Sequence, residues 1–359
     1  MKSTFKILSF ILAIILLFSF ASCNKNTNSD VPADDSADKS PDTTPDTDNK
    51  DDINDENKTP EGSDSENKED DKVEEEKPAG KNIICQLKNS THEQMMGYVF
   101  KTSDEKIIVI DGGTNGDTDN LYNTIKEMSG LEIPHVDAWI LTHPHSDHID
   151  AFMTIMEEKW DAIEIDKIYY NFPTEEFVAQ YENSSLKTIQ RFNSLKPKFE
   201  DKLVVSEVGD KYTIGEAKID VLFVFDDTIT FNPINNSSMI FRLTAGGKKM
   251  MFLGDAYVQA GQIVLDKYKV RLDSDYCQMA HHGQAGVNSD VYKIIAPSVC
   301  FWDAPDWLWD NDSGGGVGSG PWGTLTVRAW MEAFKVELHV VEKDGNNYFD
   351  FDTGVLITK

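Results

Sequence analysis

The feature that most constrains this chain is the heptapeptide THPHSDH at residues 142–148. It contains four potential ligands of a divalent metal: His143, His145, Asp147 and His148. Residues 136–141, VDAWIL, are apolar except for one aspartate and typical of a buried strand, so the heptapeptide is predicted to form the loop that opens the next helix. Imidazoles and a carboxylate this close together would be costly to bury without partners. Nitrogen and carboxylate ligands suit zinc, manganese or iron, so we predict a metal site here.

In this motif and in three others, the sequence resembles the metallo-β-lactamase superfamily, whose signature is HxHxDH. The resemblance extends over nearly all of residues 81–359. Residues 108–113, IVIDGG, resemble the family's first motif, which implies that Asp111 orients a ligand histidine instead of binding metal. Residues 251–255, MFLGD, resemble the later motif whose aspartate, here Asp255, bridges two metals.

The last motif is AHHG at residues 280–283, which resembles the one that supplies the family's final histidine ligand. Adjacent side chains on a strand point opposite ways, so we expect only one of His281 and His282 to bind metal directly. The other is then placed to protonate the leaving group. The resemblance implies two divalent metal ions, with zinc expected and manganese as the alternative. The candidate metal ligands are His143, His145, Asp147, His148, Asp255, His281 and His282, and the candidate catalytic residues are Asp147, His281, His282 and, through its hydrogen bond, Asp111.

One departure from the family pattern narrows the function. Most members carry another histidine between HxHxDH and the bridging aspartate, but this chain has none between His148 and His281. The sequence NNSS at residues 235–238 stands there instead, and Asn236 is a candidate substrate-binding residue. Together with the LGD and HHG motifs, this replacement resembles the nuclease-like domain of ComEC and the teichoic-acid phosphorylcholine esterases. True β-lactamases use the missing histidine, so a lactamase is disfavoured, and the metal held by the first two histidines of HxHxDH should be bound more weakly.

Strand-like and helix-like segments follow one another along residues 81–359, which suggests two sheets with helices outside. The resemblance makes this expectation more specific: an α/β fold, the αββα four-layer sandwich of the metallo-β-lactamases. Two further expectations concern local secondary structure. A long helical stretch is expected to end near Leu195, and residues 337–341 and 347–351 are expected to form a closing hairpin.

The first 80 residues have the composition of an export signal and a tether. Residues 1–22 have a basic start and an apolar run too short to span a membrane, as in a bacterial signal peptide. FASC at residues 20–23 resembles a lipobox, so we expect Cys23 to be lipidated; an ordinary cleaved signal is the alternative. Residues 24–80 hold 20 acidic residues, 7 lysines and few apolar side chains. We therefore predict a disordered acidic tether over residues 23–80, followed by a hydrolase domain at 81–359.

Charge and cysteine content limit the partners. Without the signal and tether, residues 81–359 carry about −17 of the total formal charge of −28. An acidic surface repels polyanions, which counts against a dedicated binder of long nucleic acid. Three cysteines lie outside the lipobox, at Cys85, Cys277 and Cys300, and none is in a CxxC pair. We expect buried thiols, with one disulfide as the alternative in an exported protein.

Residues 301–322 combine tryptophans, aspartates and a glycine-rich stretch shortly after the HHG motif. We expect this segment to rim the active site, where a tryptophan beside an aspartate can hold a quaternary ammonium or stack on a base. Packing of the loop onto the body of the domain is the alternative. The candidate substrate-contacting residues are Trp302, Trp307, Trp309 and Trp322. The other histidines, His92, His135 and His339, are expected to be structural or exposed, with His92 also a candidate to line the pocket.

The predicted function is that of an extracytoplasmic, membrane-anchored dinuclear-metal hydrolase. Two cations bridged by an aspartate lower the pKa of bound water towards about 7, and the resulting hydroxide suits in-line cleavage of a phosphodiester. The expected partners are a small-molecule or envelope-polymer substrate, with nucleic acid as an alternative, and the membrane through Cys23. Hydrolysis of carboxylic ester, lactone or lactam bonds is the rival activity. A non-catalytic metal-binding surface lipoprotein is the alternative outside the enzymes.

Overall fold

Alternation along the strand Ile107–Asp111 shows how the layers of the fold arise. In the computed structural model, which describes residues 80–358, Ile108 and Ile110 enter a core between two sheets. Ile107 and Val109 face a different core, beneath helices. Successive side chains of a strand point to opposite faces. A strand that is apolar on both faces therefore lies in an inner layer, with a sheet on one side and helices on the other.

The first sheet contains eight strands: β1 (Ile83–Gln86), β2 (Gly97–Lys101), β3 (Ile107–Asp111), β4 (His135–Ile140), β5 (Glu164–Tyr170), β6 (Leu203–Val205), β14 (Asn347–Asp350) and β15 (Val355–Leu356). Their order across the sheet is β15-β14-β1-β2-β3-β4-β5-β6. The pairings from β3 to β6 are parallel, and the others are antiparallel.

The second sheet contains seven strands: β7 (Lys211–Ile214), β8 (Ala217–Phe223), β9 (Ile240–Ala245), β10 (Lys248–Phe252), β11 (Tyr276–Gln278), β12 (Val299–Trp302) and β13 (Leu338–Val341). They follow one another across the sheet in sequence order. The pairings from β10 to β13 are parallel, whereas those from β7 to β10 are antiparallel. Each sheet thus has a parallel half, and ligand sites in such sheets form at the carboxyl ends of the strands.

Helices cover the outer face of each sheet. Those on the first sheet are α1 (Thr118–Ser129), α2 (Ser146–Glu158), α3 (Glu175–Tyr181) and α4 (Leu186–Leu195). Those on the second sheet are α5 (Val258–Tyr268), α6 (Ser289–Ile295), α7 (Asp306–Trp309) and α8 (Thr324–Phe334). The predicted αββα four-layer sandwich is confirmed.

Two local predictions are wrong. The closing segments do not form a hairpin, because β13 pairs parallel with β12 in the second sheet whereas β14 pairs antiparallel with β1 in the first. The chain crosses between the sheets at this point. The long helical stretch is broken between α3 and α4, where Glu182 leaves the helical region with φ −151° and ψ 67°. At this break the Glu182 carboxylate turns towards His145, one of the candidate metal ligands.

The predictions for residues 1–79, including the export signal, Cys23 and nearly all of the tether, lie outside the described residues. None of the helices within residues 80–358 has the length and apolar character needed to cross a lipid bilayer. Cys277 and Cys300 are buried thiols at matching positions on β11 and β12, and neither forms a disulfide.

Candidate metal centre

The carboxyl ends of the parallel strands bring four of the sequence motifs together. Asp111 ends β3, and the HxHxDH loop joins β4 to α2. In the second sheet, Asp255 follows β10, and His281 and His282 follow β11. Because the two sheets stack face to face, these loops meet at one edge of the sandwich. The motifs are therefore adjacent in space although they are spread over residues 111–282 of the sequence.

Four side chains converge on the first of two candidate metal positions: Asp147, His148, Asp255 and His282. Their ligand atoms all lie within 4.8 Å of one another. His282 Nε2 is 3.2 Å from Asp147 Oδ2 and 3.3 Å from Asp255 Oδ2. His148 Nε2 is 3.2 Å from Asp255 Oδ1. We call this group the HD cluster.

The second candidate position, which we call the HH cluster, is formed by His143, His145 and again Asp255. His143 Nε2 lies 3.0 Å from His145 Nδ1 and 3.8 Å from Asp255 Oδ2. Asp255 therefore belongs to both groups, as a carboxylate between two metals would. The HH cluster has one ligand side chain fewer than the HD cluster, and its weaker metal binding stays a prediction.

In each cluster histidine, the ring nitrogen that points away from the cluster makes a hydrogen bond that fixes the orientation of the ring. Asp111 Oδ2 lies 2.7 Å from Nδ1 of His148, and Glu182 Oε1 lies 2.7 Å from Nε2 of His145. The carbonyl oxygen of Asp303 lies 3.0 Å from Nδ1 of His282. Since carboxylates and carbonyls only accept, each of these nitrogens carries the proton. The other nitrogen of each ring then presents its lone pair to the cluster.

His143 carries its proton on Nδ1, as His148 and His282 do, but its partners are hydroxyl groups. Its Nδ1 is 3.1 Å from Thr142 Oγ1 and 3.2 Å from Ser238 Oγ. The Thr142 hydroxyl donates to Asp111 Oδ2 at 2.6 Å, so its oxygen is left to accept from the ring. His143 Nε2 is then free to bind a cation. Asp111 thus holds two of the cluster histidines, His148 directly and His143 through Thr142.

The residues present fit divalent cations. His148 Nε2, His282 Nε2 and Asp255 Oδ1 are buried, and none has a hydrogen-bond partner among the described residues. They face one common point, and such buried polar atoms are costly unless something there satisfies them. Burial lowers the pKa of His148, but Asp255 and Asp111 outweigh this effect and raise the pKa to about 10. The nitrogen and carboxylate donor set is one that zinc or manganese accepts.

Three residues of the site have backbone angles in the left-handed region, which side chains other than glycine rarely adopt. The φ values are 51° at Asp111, 52° at His281 and 56° at His282. Such strain is held in place by the surrounding structure and concentrates at functional sites. The expectation that His281 and His282 continue a strand is wrong, because these two residues form a tight turn beyond β11.

The turn separates the roles of the two histidines. His282 lies in the HD cluster, whereas His281 is outside both clusters. His281 Nε2 is 3.4 Å from the Asn235 amide nitrogen, and burial lowers the pKa of the His281 ring. The structure thus places His281 beside the metal ligands as a neutral imidazole, where it can contact a substrate.

Asn236 does not face the clusters, contrary to the expectation that it binds substrate. Its Oδ1 accepts hydrogen bonds from the backbone amides of Tyr257 and Ala260 at the start of α5, at 3.2 and 3.1 Å. Its Nδ2 donates to the carbonyl of Phe231 at 2.9 Å. The neighbour that reaches the site is Asn235, whose buried Oδ1 has no hydrogen-bond partner among the described residues.

The four tryptophans fall into two groups. Trp302 is fully buried in β12, where its Nε1 donates to His339 Nδ1 at 3.0 Å, so it does not line a pocket as we expected. Trp309 packs edge-on against Trp302 and carries the Arg328 guanidinium 4.0 Å from its ring centroid. These two residues stabilise the domain by packing.

The other pair lies beside the β1–β2 loop. Trp307 and Trp322 are half-buried, with ring centroids 4.7 Å apart. Trp307 Nε1 donates to the carbonyl of His92 at 2.8 Å, in the β1–β2 loop. The same loop reaches the HD cluster, because Gln94 Nε2 lies 3.3 Å from Asp147 Oδ2. Trp307 and Trp322 therefore remain candidates for substrate contact.

Two further residues that support the site were missed as such from the sequence. Glu182 lies in no motif, and only the break between α3 and α4 brings it to His145. The Asp303 side chain accepts hydrogen bonds from Tyr98, Gln86 and Gln278 beneath the HD cluster. Burial raises the pKa of Asp303 to about 6, although the Tyr98 and Gln86 hydrogen bonds act in the opposite direction. Neither residue has a local sequence signal that could have identified its role.

Comparisons with solved structures give several chains of similar fold. YhfI, a metallo-β-lactamase fold protein from Bacillus subtilis, is 14% identical, with 74% of this chain and 99% of that chain covered and a TM-score of 0.47. CmlA, a diiron β-hydroxylase from Streptomyces venezuelae, is 10% identical, with 73% and 53% covered and a TM-score of 0.45. This chain thus spans about half of CmlA. A diphosphatase from the PhnP family is 12% identical, with 66% and 92% covered and a TM-score of 0.37.

The sequence comparisons concern the family. A search of curated proteins finds no significant match. The profile of the metallo-beta-lactamase superfamily matches residues 96–297, a segment that begins before β2 and ends after α6. The matched segment contains all four motifs and exceeds half of the chain. This protein therefore belongs to the metallo-β-lactamase superfamily.

Proposed function

We propose that the protein is an extracytoplasmic, membrane-anchored dinuclear-metal hydrolase that cleaves phosphodiester bonds. The observation that carries the proposal is the position of Asp255, whose carboxylate belongs to both the HD and the HH cluster. A carboxylate shared by two ligand groups suits a pair of divalent cations. Such a pair would supply Lewis acidity and acidify a water molecule, which is the chemistry that in-line phosphodiester cleavage needs.

The chain's own residues have distinct tasks in this proposal. His143, His145, His148 and His282 hold the cations, in tautomers fixed by Thr142, Glu182, Asp111 and Asp303. Asp147 completes the HD cluster and is itself held by Gln94. His281 and Asn235 stand beside the clusters with polar atoms available to the substrate. The pKa of His281 is lowered, so the ring would be neutral. It would donate a hydrogen bond to the leaving oxygen, but it would not carry an additional proton to transfer to that oxygen.

The finer assignment is a relative of the ComEC-type nuclease-like domains or of the teichoic-acid phosphorylcholine esterases. It is supported by NNSS at residues 235–238 in place of the usual histidine, together with the LGD and HHG motifs. The substrate is then a small molecule or an envelope polymer, with nucleic acid less favoured by the acidic charge. Zinc is the expected metal and manganese the alternative.

A substrate panel tests the reaction. A generic phosphodiester, a phosphorylcholine ester, a lactone and a cephalosporin would be offered to zinc- and manganese-loaded protein. We expect turnover of phosphodiesters; turnover of only the lactone or the cephalosporin would favour the rival ester or lactam activity. No turnover with bound metal would favour a non-catalytic metal-binding lipoprotein. Asp255→Ala should lose most bound metal by elemental analysis, and retention of both metals would refute the bridging role.

Anchoring through Cys23 is proposed from the lipobox-like FASC sequence. Cys23→Ser should release the protein into the medium or leave its precursor unprocessed. A normally cleaved variant that stays on the membrane would exclude the lipid anchor.

A further inference from the structure

We infer that Phe231 and Tyr257 form a stacking wall beside the metal centre, which selects small phosphodiesters that carry a planar aromatic group such as a nucleoside. This inference rests on the proposed function and specifies its substrate. It also moves the aromatic recognition surface away from the tryptophan segment that the sequence suggested. The wall lies on the loop between β8 and β9 and at the start of α5.

The rings form a continuous series from solvent to the metal ligands. Phe231 and Tyr257 have ring centroids 6.1 Å apart, and Tyr257 and His281 have centroids 6.0 Å apart. His281 is in turn 6.1 Å from His282, which belongs to the HD cluster. A ligand whose phosphate reaches the clusters can therefore place an adjoining planar group against this series. Aromatic groups stack or pack edge-on at such separations.

The outer end of the series is open. Phe231 is 63% exposed, so much of its side chain is in contact with solvent. Tyr257 is half-buried and lies between Phe231 and His281. An exposed aromatic ring at the entrance of a polar site is a surface that a ligand can cover.

The wall is held rigidly by a buried residue. Asn236, which is 1% exposed, donates to the carbonyl of Phe231 and accepts from the amide of Tyr257. One side chain thus fixes both members of the wall relative to each other. Fixing the surface before binding lowers the entropy cost of recognition. This gives Asn236 a positioning role in place of the direct contact predicted from the sequence.

The negative charge of the protein around the wall favours a small ligand over a long polyanion. Asp226 and Asp227 lie on the same loop as Phe231, and the folded part of the chain is acidic overall. A long polyanion would be repelled along this approach, whereas a ligand with one phosphate near the cations would not. The chemistry recognised is therefore a planar ring close to a single phosphodiester.

Binding of phosphate monoesters to zinc-loaded protein tests the wall without requiring turnover. Phenyl phosphate and methyl phosphate share the phosphate and differ in the ring. By calorimetry, we expect phenyl phosphate to bind about tenfold more tightly, the range of one aromatic stack. Phe231→Ala should remove most of this preference, and Phe231→Leu should keep only part of it, because it restores apolar area without a ring.

Val270→Ala is the control, because Val270 is 75% exposed and lies just beyond the C-terminal end of α5, whereas Tyr257 precedes its N-terminal end. This variant should keep the preference for phenyl phosphate. The inference is overturned if the wild type shows no preference, or if Phe231→Ala weakens both ligands equally. A preference that depends on Phe231, with no phosphodiester turned over in the substrate panel, would refute the proposed function separately from the wall.

Discussion

Oδ2 of Asp111 lies 2.7 Å from Nδ1 of His148, and this contact ties a ligand histidine in the first turn of α2 to the last residue of β3. Both side chains are fully buried. The Asp111 carboxylate also accepts hydrogen bonds from the backbone amide and the hydroxyl of Thr142, at 2.7 and 2.6 Å. One carboxylate therefore fixes His148 of the HD cluster and Thr142, the residue that precedes His143 of the HH cluster. Asp111 acts on His148 both through this hydrogen bond and through its charge.

Asp111→Asn should weaken metal binding without removing a ligand. The amide group cannot accept as strongly from His148, and if its NH2 faces the ring it favours the wrong tautomer. We expect about a 10- to 100-fold loss of zinc affinity in competition with a chelator, as is typical of residues that orient metal ligands. Asp220→Asn is the control, because Asp220 lies on β8, pairs with Arg242 and belongs to neither cluster. Loss of one whole metal equivalent in Asp111→Asn would instead make Asp111 a direct ligand.

Metal binding should release protons at neutral pH. Asp255 and Asp111 raise the pKa of His148 to about 10, and Asp255 and Asp147 raise that of His282 well above its usual value, in each case against the effect of burial. Below these pKa values the metal-free rings are protonated, and a cation must displace the protons. Zinc affinity should therefore increase as the pH rises and fall as it drops. Zinc titrations at pH 7 in buffers of different ionisation enthalpy should show release of one proton from each ring; a buffer-independent heat would contradict this.

The sequence indicates most of the side chains that the structure brings together in the two clusters, but not the residues that support them, for a physical reason. His143, His145, Asp147 and His148 are contiguous, so one loop delivers them whatever the rest of the chain does. Glu182 reaches His145 only because a helix ends there, and the contact spans 37 residues with no local pattern. The same limit explains the mistaken hairpin, because residues 337–341 and 347–351 have strand patterns that fit either sheet. Only the pairing partners, β12 and β1, decide between them.

Glu182→Gln should affect the HH cluster selectively. His145 and Glu182 are each about one-fifth exposed, and the glutamate holds the ring by a charge-assisted hydrogen bond. Glutamine keeps an oxygen but loses the charge, so we expect about a tenfold weaker second metal with the first unchanged. Glu176→Gln, an exposed residue of α3, is the control. Equal weakening of both metals, resolved in a two-site chelator competition, would mean that Glu182 acts on the whole fold.

The last prediction separates the tryptophans by what they contact. Trp302 is buried among His339 and Trp309, so Trp302→Ala leaves a cavity and should cost about 3–5 kcal/mol in the free energy of unfolding. All activities should then fall together through loss of folded protein. Trp307→Ala should cost less stability, because Trp307 is half-buried and packs mainly on Trp322.

Substrate selectivity then decides the role of Trp307. If it contacts substrate, Trp307→Ala should lower kcat/KM for an extended substrate about tenfold while turnover of a small generic phosphodiester hardly changes. Zinc content and the melting temperature should remain close to wild type, since the contacts of the ring are with Trp322 and the His92 carbonyl and not with a cluster residue. A lowered melting temperature with an unchanged ratio of the two activities would show that Trp307 packs the loop through Trp322 and the His92 carbonyl. Recognition of aromatic groups would then fall to Phe231 and Tyr257 alone.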